Sequence, residues 1–134
     1  MSFKYLLDTN ICIYIMKEQP PVVRKKFEQL DLGTMGMSVI TYGELLYGAQ
    51  KSKQSNKAKD LIHQLCDYIP PLPLSLKVSK YYAIIRAGLE KQGRMIGNND
   101  LWIAAHCLDL DLILVTNNER EFSQVDKLKV ENWV

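Results

Sequence analysis

The run Leu112-Ile113-Leu114-Val115-Thr116 is the clearest strand signal in the sequence, because it is uninterrupted, apolar and β-branched. A strand without alternating polar positions is buried on both faces, which is typical of a parallel sheet covered by helices. Stretches with helical periodicity lie on both sides of this run. The sequence therefore predicts βαβ units and an α/β fold, with a small, mainly parallel sheet and helices on both faces.

Further strands and helices are predicted on both sides of this run. Strands are expected over 3–7 and 37–40, at an edge over 72–74, and last over 129–133. Thr41 is predicted to cap a helix after the second strand, Ser75 to open another, and Asn98 and Asn99 to cap the buried helix over 100–108. Further helices are expected over 11–16, 22–30 and 58–66.

The composition fits one compact domain over residues 1–134. Of the 134 residues, 47% are hydrophobic and 24% charged, which supports a packed core and excludes disordered and low-complexity classes. No apolar run approaches the roughly 20 residues that span a bilayer, and Asp8 comes too early for a signal peptide. We therefore expect a soluble, intracellular protein. The net charge of +2 is too small to indicate nucleic-acid binding by itself.

The cysteines and histidines favour neither disulfides nor a zinc site. Cys12, Cys66 and Cys107 are odd in number and widely spaced among apolar neighbours, so they are expected to be reduced core thiols. His63 and His106 lie far apart and form no HExxH or HxH pair. A metal ion in this protein would therefore need oxygen ligands.

Three acidic residues are predicted to meet at one edge of the sheet. Asp8 follows the first strand, Glu44 lies early in the helix after the second, and Asp100 begins the buried helix. The working crevice of such folds lies at the carboxyl ends of the strands, where these acids are placed. Asn118 and Glu121, with Glu119 between them, follow the strand over 112–116 and lie toward the same edge.

Converging carboxylates suit Mg²⁺ or Mn²⁺, which prefer oxygen ligands and offset the repulsion between the acids. Such a site activates water and stabilises charge on a phosphoryl group, so phosphodiester hydrolysis is the expected reaction. Each acid alone also has a structural explanation: Asp8 as a helix cap, Glu44 as a capping-box partner and Asp100 through the helix dipole. The prediction therefore depends on their combination.

Four sequence blocks occur in a familiar order. They are Leu7-Asp8-Thr9-Asn10, Tyr42-Gly43-Glu44-Leu45, Ile96-Gly97-Asn98-Asn99-Asp100-Leu101-Trp102-Ile103-Ala104-Ala105, and Val115-Thr116-Asn117-Asn118 with Arg120-Glu121-Phe122. In this order and spacing the blocks strongly resemble PIN-domain ribonucleases, and among them the VapC-type toxins of bacterial toxin–antitoxin modules. The resemblance covers essentially the whole chain, and the block over 97–105 is its most distinctive part.

The resemblance implies a PIN-like, three-layer α/β/α fold and a Mg²⁺- or Mn²⁺-dependent endoribonuclease. Asp8, Glu44 and Asp100 match the first three acids of the family. Asp8 and Asp100 would be the principal metal ligands, and Glu44 would bind the metal directly or through water.

The remaining site residues are also implied by the resemblance. The fourth acid of the family commonly falls where this chain has Asn118, which weakens a second metal site unless Glu121 supplies the missing carboxylate. Thr9 and Asn10 would orient Asp8 or a bound water, and Ser38 would form a hydrogen bond in the same crevice.

The resemblance further implies a cytoplasmic homodimer and a cognate VapB-type antitoxin whose tail occupies the acidic crevice. Close relatives with the same block over 97–100 cleave initiator tRNA in the anticodon stem-loop, so a structured RNA is the expected substrate. Electrostatics alone favours phosphate contacts from basic side chains around the site, although runs of lysine are also common on solvated faces. These side chains are Lys51, Lys53, Lys57, Lys91 and Arg94.

Two other functions fit parts of the pattern. One is a catalytically weak or inactive PIN-fold module that binds RNA or a partner, with Asn118 as the sign of a decayed site. The other is a phosphatase or phosphoryl-transfer switch with Asp8 as the acceptor. A phosphatase would carry a second acid at position 10, where this chain has Asn10.

Overall fold

A computed structural model describes residues 2–134. Five strands form one sheet, and every neighbouring pair is parallel. The strands are β1 (Tyr5–Leu7), β2 (Met35–Ser38), β3 (Pro71–Leu72), β4 (Ile113–Val115) and β5 (Lys129–Glu131), in the spatial order β3-β2-β1-β4-β5. The helices are α1 (Thr9–Lys17), α2 (Pro21–Glu28), α3 (Val39–Lys51), α4 (Ser55–Tyr68), α5 (Leu76–Lys91), α6 (Asn98–Leu110) and α7 (Glu119–Phe122).

Apolar residues of the central strand β1 divide between two cores. Tyr5 and Leu7 pack into a cluster with residues of α1 to α4, whereas Leu6 packs into a second cluster with residues of α5 and α6. Successive side chains of a strand point to opposite faces, so the sheet has helices on both sides. The predicted three-layer α/β/α arrangement is confirmed, and the buried strand over 112–116 is observed as β4.

Strand β2 begins earlier than predicted. Gly36 lies inside it, and a β-carbon at this position would come within 2.8 Å of Leu72 Cδ1 in β3. The glycine therefore permits close approach of the two strands. Glycine is depleted in strands, which is why the predicted strand began only at residue 37. Ser38 rather than Thr41 caps α3, because the Ser38 hydroxyl accepts a hydrogen bond from the Ile40 amide at 3.1 Å.

Two elements near the predicted site also differ from expectation. Helix α6 has Gly97 as its N-cap, with no side-chain cap, so the predicted capping by Asn98 and Asn99 is wrong. The side chain of Asn98 instead contacts α5, as described below. Helix α7 was not predicted, because four residues are too few to show a helical period.

The sheet topology fixes where a site can form. From β1 the chain proceeds outward through β2 and β3, then returns to β4 and β5 on the other side of β1. The carboxyl end of β1 is therefore the switch point, and Asp8 is the next residue. Cys12 and Cys107 are buried free thiols, as predicted, whereas Cys66 is free but only partly buried. Within residues 2–134, no helix has the length and apolar character needed to cross a membrane.

Candidate active site

Asp8 is fixed at the switch point through both carboxylate oxygens. It is the N-cap of α1, where Oδ1 accepts a hydrogen bond from the Ile11 amide at 3.0 Å. Oδ2 accepts a hydrogen bond from the hydroxyl of Thr116, the residue that follows β4. The side chain is only 5% exposed. Burial raises the pKa of Asp8, with a further contribution from Glu44, while the Thr116 and Ile11 hydrogen bonds oppose the shift.

Glu44 is held toward Asp8 by the residue that follows Asp8. The Thr9 hydroxyl donates a hydrogen bond to Glu44 Oε1 at 2.6 Å. Its oxygen also lies 3.2 Å from the hydroxyl oxygen of Thr41, which is fully buried in α3. Thr9 therefore connects α1 to α3. It orients the Glu44 carboxylate rather than Asp8 itself, which is a change from the predicted role.

Asp100 lies in the first turn of α6, surrounded by other acids. Burial raises its pKa to about 7, helped by a hydrogen bond with the Glu121 carboxyl group and by repulsion from Glu121, Asp8 and Glu44. When protonated, Asp100 donates this hydrogen bond to the Glu121 carboxylate. Glu121, Asp8 and Glu44 therefore lie close enough to Asp100 to repel its charged form.

Glu121, rather than Asn118, is the residue of this segment that interacts with Asp100. Glu121 Oε1 accepts a hydrogen bond from the Gly97 amide at 3.2 Å, at the start of α6. Its other oxygen accepts one from the side-chain amide of Asn118. The Asn118 backbone amide donates to the Thr116 hydroxyl at 2.9 Å. Asn118 thus orients Glu121, which in turn contacts Asp100.

The donor set consists of carboxylate, hydroxyl and amide oxygens, which suits a hard divalent cation. Within residues 2–134, no three His, Cys, Asp or Glu side chains are close enough together to enclose a metal ion. The acids come from separate elements, with Asp8 after β1, Glu44 in α3 and Asp100 in α6. This arrangement fits Mg²⁺, which usually keeps several waters and needs only one or two carboxylates from the protein.

Two predicted site residues are engaged differently. Ser38 is fully buried, and its oxygen lies 2.8 Å from His106 Nδ1. Because His106 Nε2 lies 3.1 Å from the Pro73 carbonyl oxygen, Nε2 carries the proton and Nδ1 accepts from Ser38. Burial lowers the pKa of His106. Ser38 thus belongs to a structural contact with His106, and the exposed Asn10 contributes its backbone amide to Asp8.

The predicted phosphate contacts are on the surface. All five basic side chains are exposed, and within the described part of the chain none forms an ion pair with a carboxylate. Lys51 Nζ lies 4.8 Å from the ring centroid of Tyr47, on the same helix as Glu44. These charges are therefore available to a polyanion; the residues are Lys51, Lys53, Lys57, Lys91 and Arg94.

Sequence reasoning missed Thr116 and Thr41 as contributors to the site. The register of the sheet pairs Leu7 with Val115, so the residues that follow, Asp8 and Thr116, are adjacent. Pairing the two predicted strands in this register would have placed Thr116 beside Asp8. Thr41 gave no such signal, because its contact with Thr9 depends on how α1 packs against α3.

A separate cavity of about 650 Å³ lies between α1, α2 and α4, away from the acids. It is lined largely by apolar side chains, and Leu32 and Tyr68 at its border are 58% and 48% exposed. Exposed apolar surface of this kind marks binding surfaces in soluble proteins.

The fold and the crevice define an α/β protein whose oxygen donors, at the switch point of a parallel sheet, suit a divalent cation and phosphodiester chemistry. The PIN domain family model matches residues 5–128. The chain belongs to the PIN-domain family.

The relatives support the same assignment. The chain is 44% identical over 131 residues to Ribonuclease VapC2 of Haemophilus influenzae, a match that covers 98% of each chain. It is 41% identical to the tRNA(fMet)-specific endonuclease VapC of Shigella flexneri, over 97% of this chain and 98% of that one. A chain of the crystal structure of VapBC2 from Rickettsia felis, bound to a DNA fragment from their promoter, matches with a TM-score of 0.91, 36% identity and 100% coverage of both chains.

Proposed function

We propose that this protein is the toxin of a type II toxin–antitoxin module and a Mg²⁺- or Mn²⁺-dependent endoribonuclease. The observation that carries the proposal is the position of Asp8 at the switch point of a PIN fold, with Glu44 held beside it by Thr9 and Asp100 close enough for the charges to interact. The full-length similarity to VapC ribonucleases gives independent support.

Asp8 and Asp100 would be the principal ligands of the cation, and Glu44 would bind it directly or through water. A bound Mg²⁺ or Mn²⁺ supplies charge that makes a water more acidic and stabilises the developing charge on phosphate. Asp8 is rigid, because both of its oxygens accept hydrogen bonds. The Thr9 hydroxyl orients Glu44, and Glu121, oriented by Asn118, would act on a cation through Asp100 or as a fourth carboxylate.

The substrate we propose is a structured RNA, with initiator tRNA as the first to test, because one relative is a tRNA(fMet)-specific endonuclease. The five exposed basic residues would contact its phosphates. This electrostatic contribution to RNA affinity weakens as the salt concentration is raised. An enzyme of this kind would act in the cytoplasm.

The partner we propose is a VapB-type antitoxin, because related structures are VapBC complexes. Its tail would occupy the acidic crevice, and the apolar cavity between α1, α2 and α4 is a second surface suited to a protein partner.

We further propose that the protein is a homodimer and that residues 1–134 of each copy form a single domain. Sedimentation of the isolated chain tests the dimer, and cooperative single-step unfolding tests the single domain.

RNA cleavage with mapped ends tests the central proposal. The wild type in Mn²⁺ should cleave total cellular RNA at few positions, and EDTA should stop cleavage while circular dichroism remains native. Asp8→Asn should be inactive, whereas Asp60→Asn, which removes an exposed carboxylate on α4, should match the wild type. Cleavage by Asp8→Asn at the wild-type rate, or no metal-dependent cleavage by the wild type, would overturn the proposal. The second result would favour the inactive binding module.

A further inference from the structure

The first turn of α6 has no cap of its own. Gly97 is the N-cap and offers no side chain, so the turn lacks the usual side-chain acceptor for its free amides. Asp100 lies in this turn. An uncapped first turn needs contacts from elsewhere to hold its position.

Tyr82 of α5 provides two such contacts. Its hydroxyl donates a hydrogen bond to Asn98 Oδ1 at 2.8 Å. Its ring stacks on the indole of Trp102, with centroids 3.9 Å apart and an interplanar angle of 10°. Asn98 and Trp102 lie two residues before and two residues after Asp100. One side chain therefore contacts α6 through the side chains on both sides of the acid.

Arg86 sets the direction of the Tyr82 hydrogen bond. Arg86 Nη1 lies 2.7 Å from the Tyr82 oxygen, and a guanidinium can only donate. The Tyr82 oxygen therefore accepts from Arg86, and its single proton is left for Asn98 Oδ1. Arg86 is itself held by Glu90, whose carboxylate oxygen is 3.6 Å from Nε. The chain of hydrogen bonds runs in one direction, from Arg86 through Tyr82 to Asn98.

We propose that Tyr82, oriented by Arg86, is a positioning residue that holds the first turn of α6 so that Asp100 is placed for divalent-cation binding. In this role Tyr82 acts through Asn98 and Trp102, not as a ligand of the cation. The inference rests on the proposed function, because it assigns Tyr82 a role in the metal site of that nuclease.

Calorimetric titration of the RNA-free protein with Mn²⁺ tests the proposal without relying on activity. Tyr82→Phe keeps the ring stack and removes only the hydroxyl. Its Mn²⁺ dissociation constant should rise about fivefold, the effect of one net hydrogen bond. The Mn²⁺ concentration for half-maximal RNA cleavage should rise by the same factor, while KM for RNA and kcat at saturating Mn²⁺ stay at wild-type values. Arg86→Met should act in the same direction more weakly.

Two control variants separate positioning from general loosening of α5. Tyr81→Phe removes the hydroxyl of the neighbouring exposed tyrosine, which forms no side-chain hydrogen bond within residues 2–134, and should leave Mn²⁺ binding unchanged. Val78→Ala, at a buried position of α5, should lower the thermal midpoint without weakening Mn²⁺ binding.

The outcomes are distinct. An unchanged Mn²⁺ dissociation constant in Tyr82→Phe overturns the inference, and so does an equal weakening in Val78→Ala. In either case a wild type that still binds Mn²⁺ and cleaves RNA leaves the proposed function intact. A wild type that neither binds Mn²⁺ nor cleaves RNA overturns the proposed function, and the positioning role with it.

Discussion

Asp8 and Asp100 face one crevice but are held in different ways. Asp8 follows a buried strand, and its oxygens accept hydrogen bonds from a local backbone amide and from the hydroxyl next to it in the sheet. Asp100 lies in a helical turn with no side-chain cap, and its carboxyl group meets another carboxyl group. The first acid depends on main-chain geometry, whereas the second depends on side chains distant in sequence.

Alanine substitution should separate the two acids by stability rather than by activity. Asp8→Ala and Asp100→Ala should both reduce RNA cleavage to background, because each removes a principal metal ligand. Only Asp8→Ala should also lower the free energy of unfolding, by about 1 kcal/mol or more, because it removes the N-cap of α1. Urea unfolding in EDTA measures the difference. Equal stability of the two variants, or cleavage by either one, would contradict the comparison.

The pH dependence of stability should follow Asp100. Its pKa is raised from 3.8 to about 7 in the folded protein, so folding favours the protonated form. The stability that Asp100 contributes is present below pH 4 and is lost as pH rises through about 7. In EDTA, Asp100→Asn should therefore match the wild type at pH 4 and have the higher thermal midpoint at pH 8.

His106 also contributes to the pH dependence of stability, but it does not disturb the comparison of wild type with Asp100→Asn. Its pKa is lowered from 6.5, so its contribution to stability is lost as the pH falls, which is opposite to the effect of Asp100. Because both chains contain His106, its effect cancels in the difference between wild type and Asp100→Asn. A difference that does not change between pH 4 and pH 8 would show that Asp100 is not the titrating group.

Glu121 and Asn118 should differ in their effect on metal binding. Glu121→Gln removes a charge in contact with Asp100 and should weaken metal-dependent cleavage more than Asn118→Ala, which removes only the amide that orients Glu121. Mn²⁺ titration of the free wild type should show one site. Two tight Mn²⁺ sites that neither variant affects would contradict the role given to Glu121. If Asn118→Asp binds a second ion more strongly than the wild type, position 118 has the larger effect on the second site.

The smallest effect is expected at Thr116. Its hydroxyl lowers the pKa of Asp8, so Thr116→Val should raise that pKa further and weaken Mn²⁺ binding a few-fold at mildly acidic pH, with little change at pH 8. Thr116→Ser keeps the hydroxyl and is the matched control. A serine variant as impaired as the valine variant would show that the methyl group, not the hydrogen bond, matters at this position.

The position of Asp8 at the end of a strand could be predicted from the sequence. An apolar strand, a polar stop and the rule that parallel strands present their carboxyl ends together predicted Asp8, and the same pattern predicted the layer order of the fold. The positions of Glu44, early in the helix after the second strand, and of Asp100, at the start of the buried helix, predicted both at the same edge. The strand β2 was placed too late, because Gly36 gives no strand signal on its own and is explained only by Leu72.

What surrounds Asp100 was decided by tertiary structure. Asp100 is buried by segments distant in sequence. Glu121, which interacts with it, and Tyr82, which contacts its helix, are separated from it by no strand or helix repeat. The same holds for Ser38, whose hydroxyl meets His106 rather than the crevice. Sequence patterns report residues one strand or one helical turn apart. The environment of a charged group depends on every element packed around it, so only the folded chain sets its pKa and its hydrogen bonds.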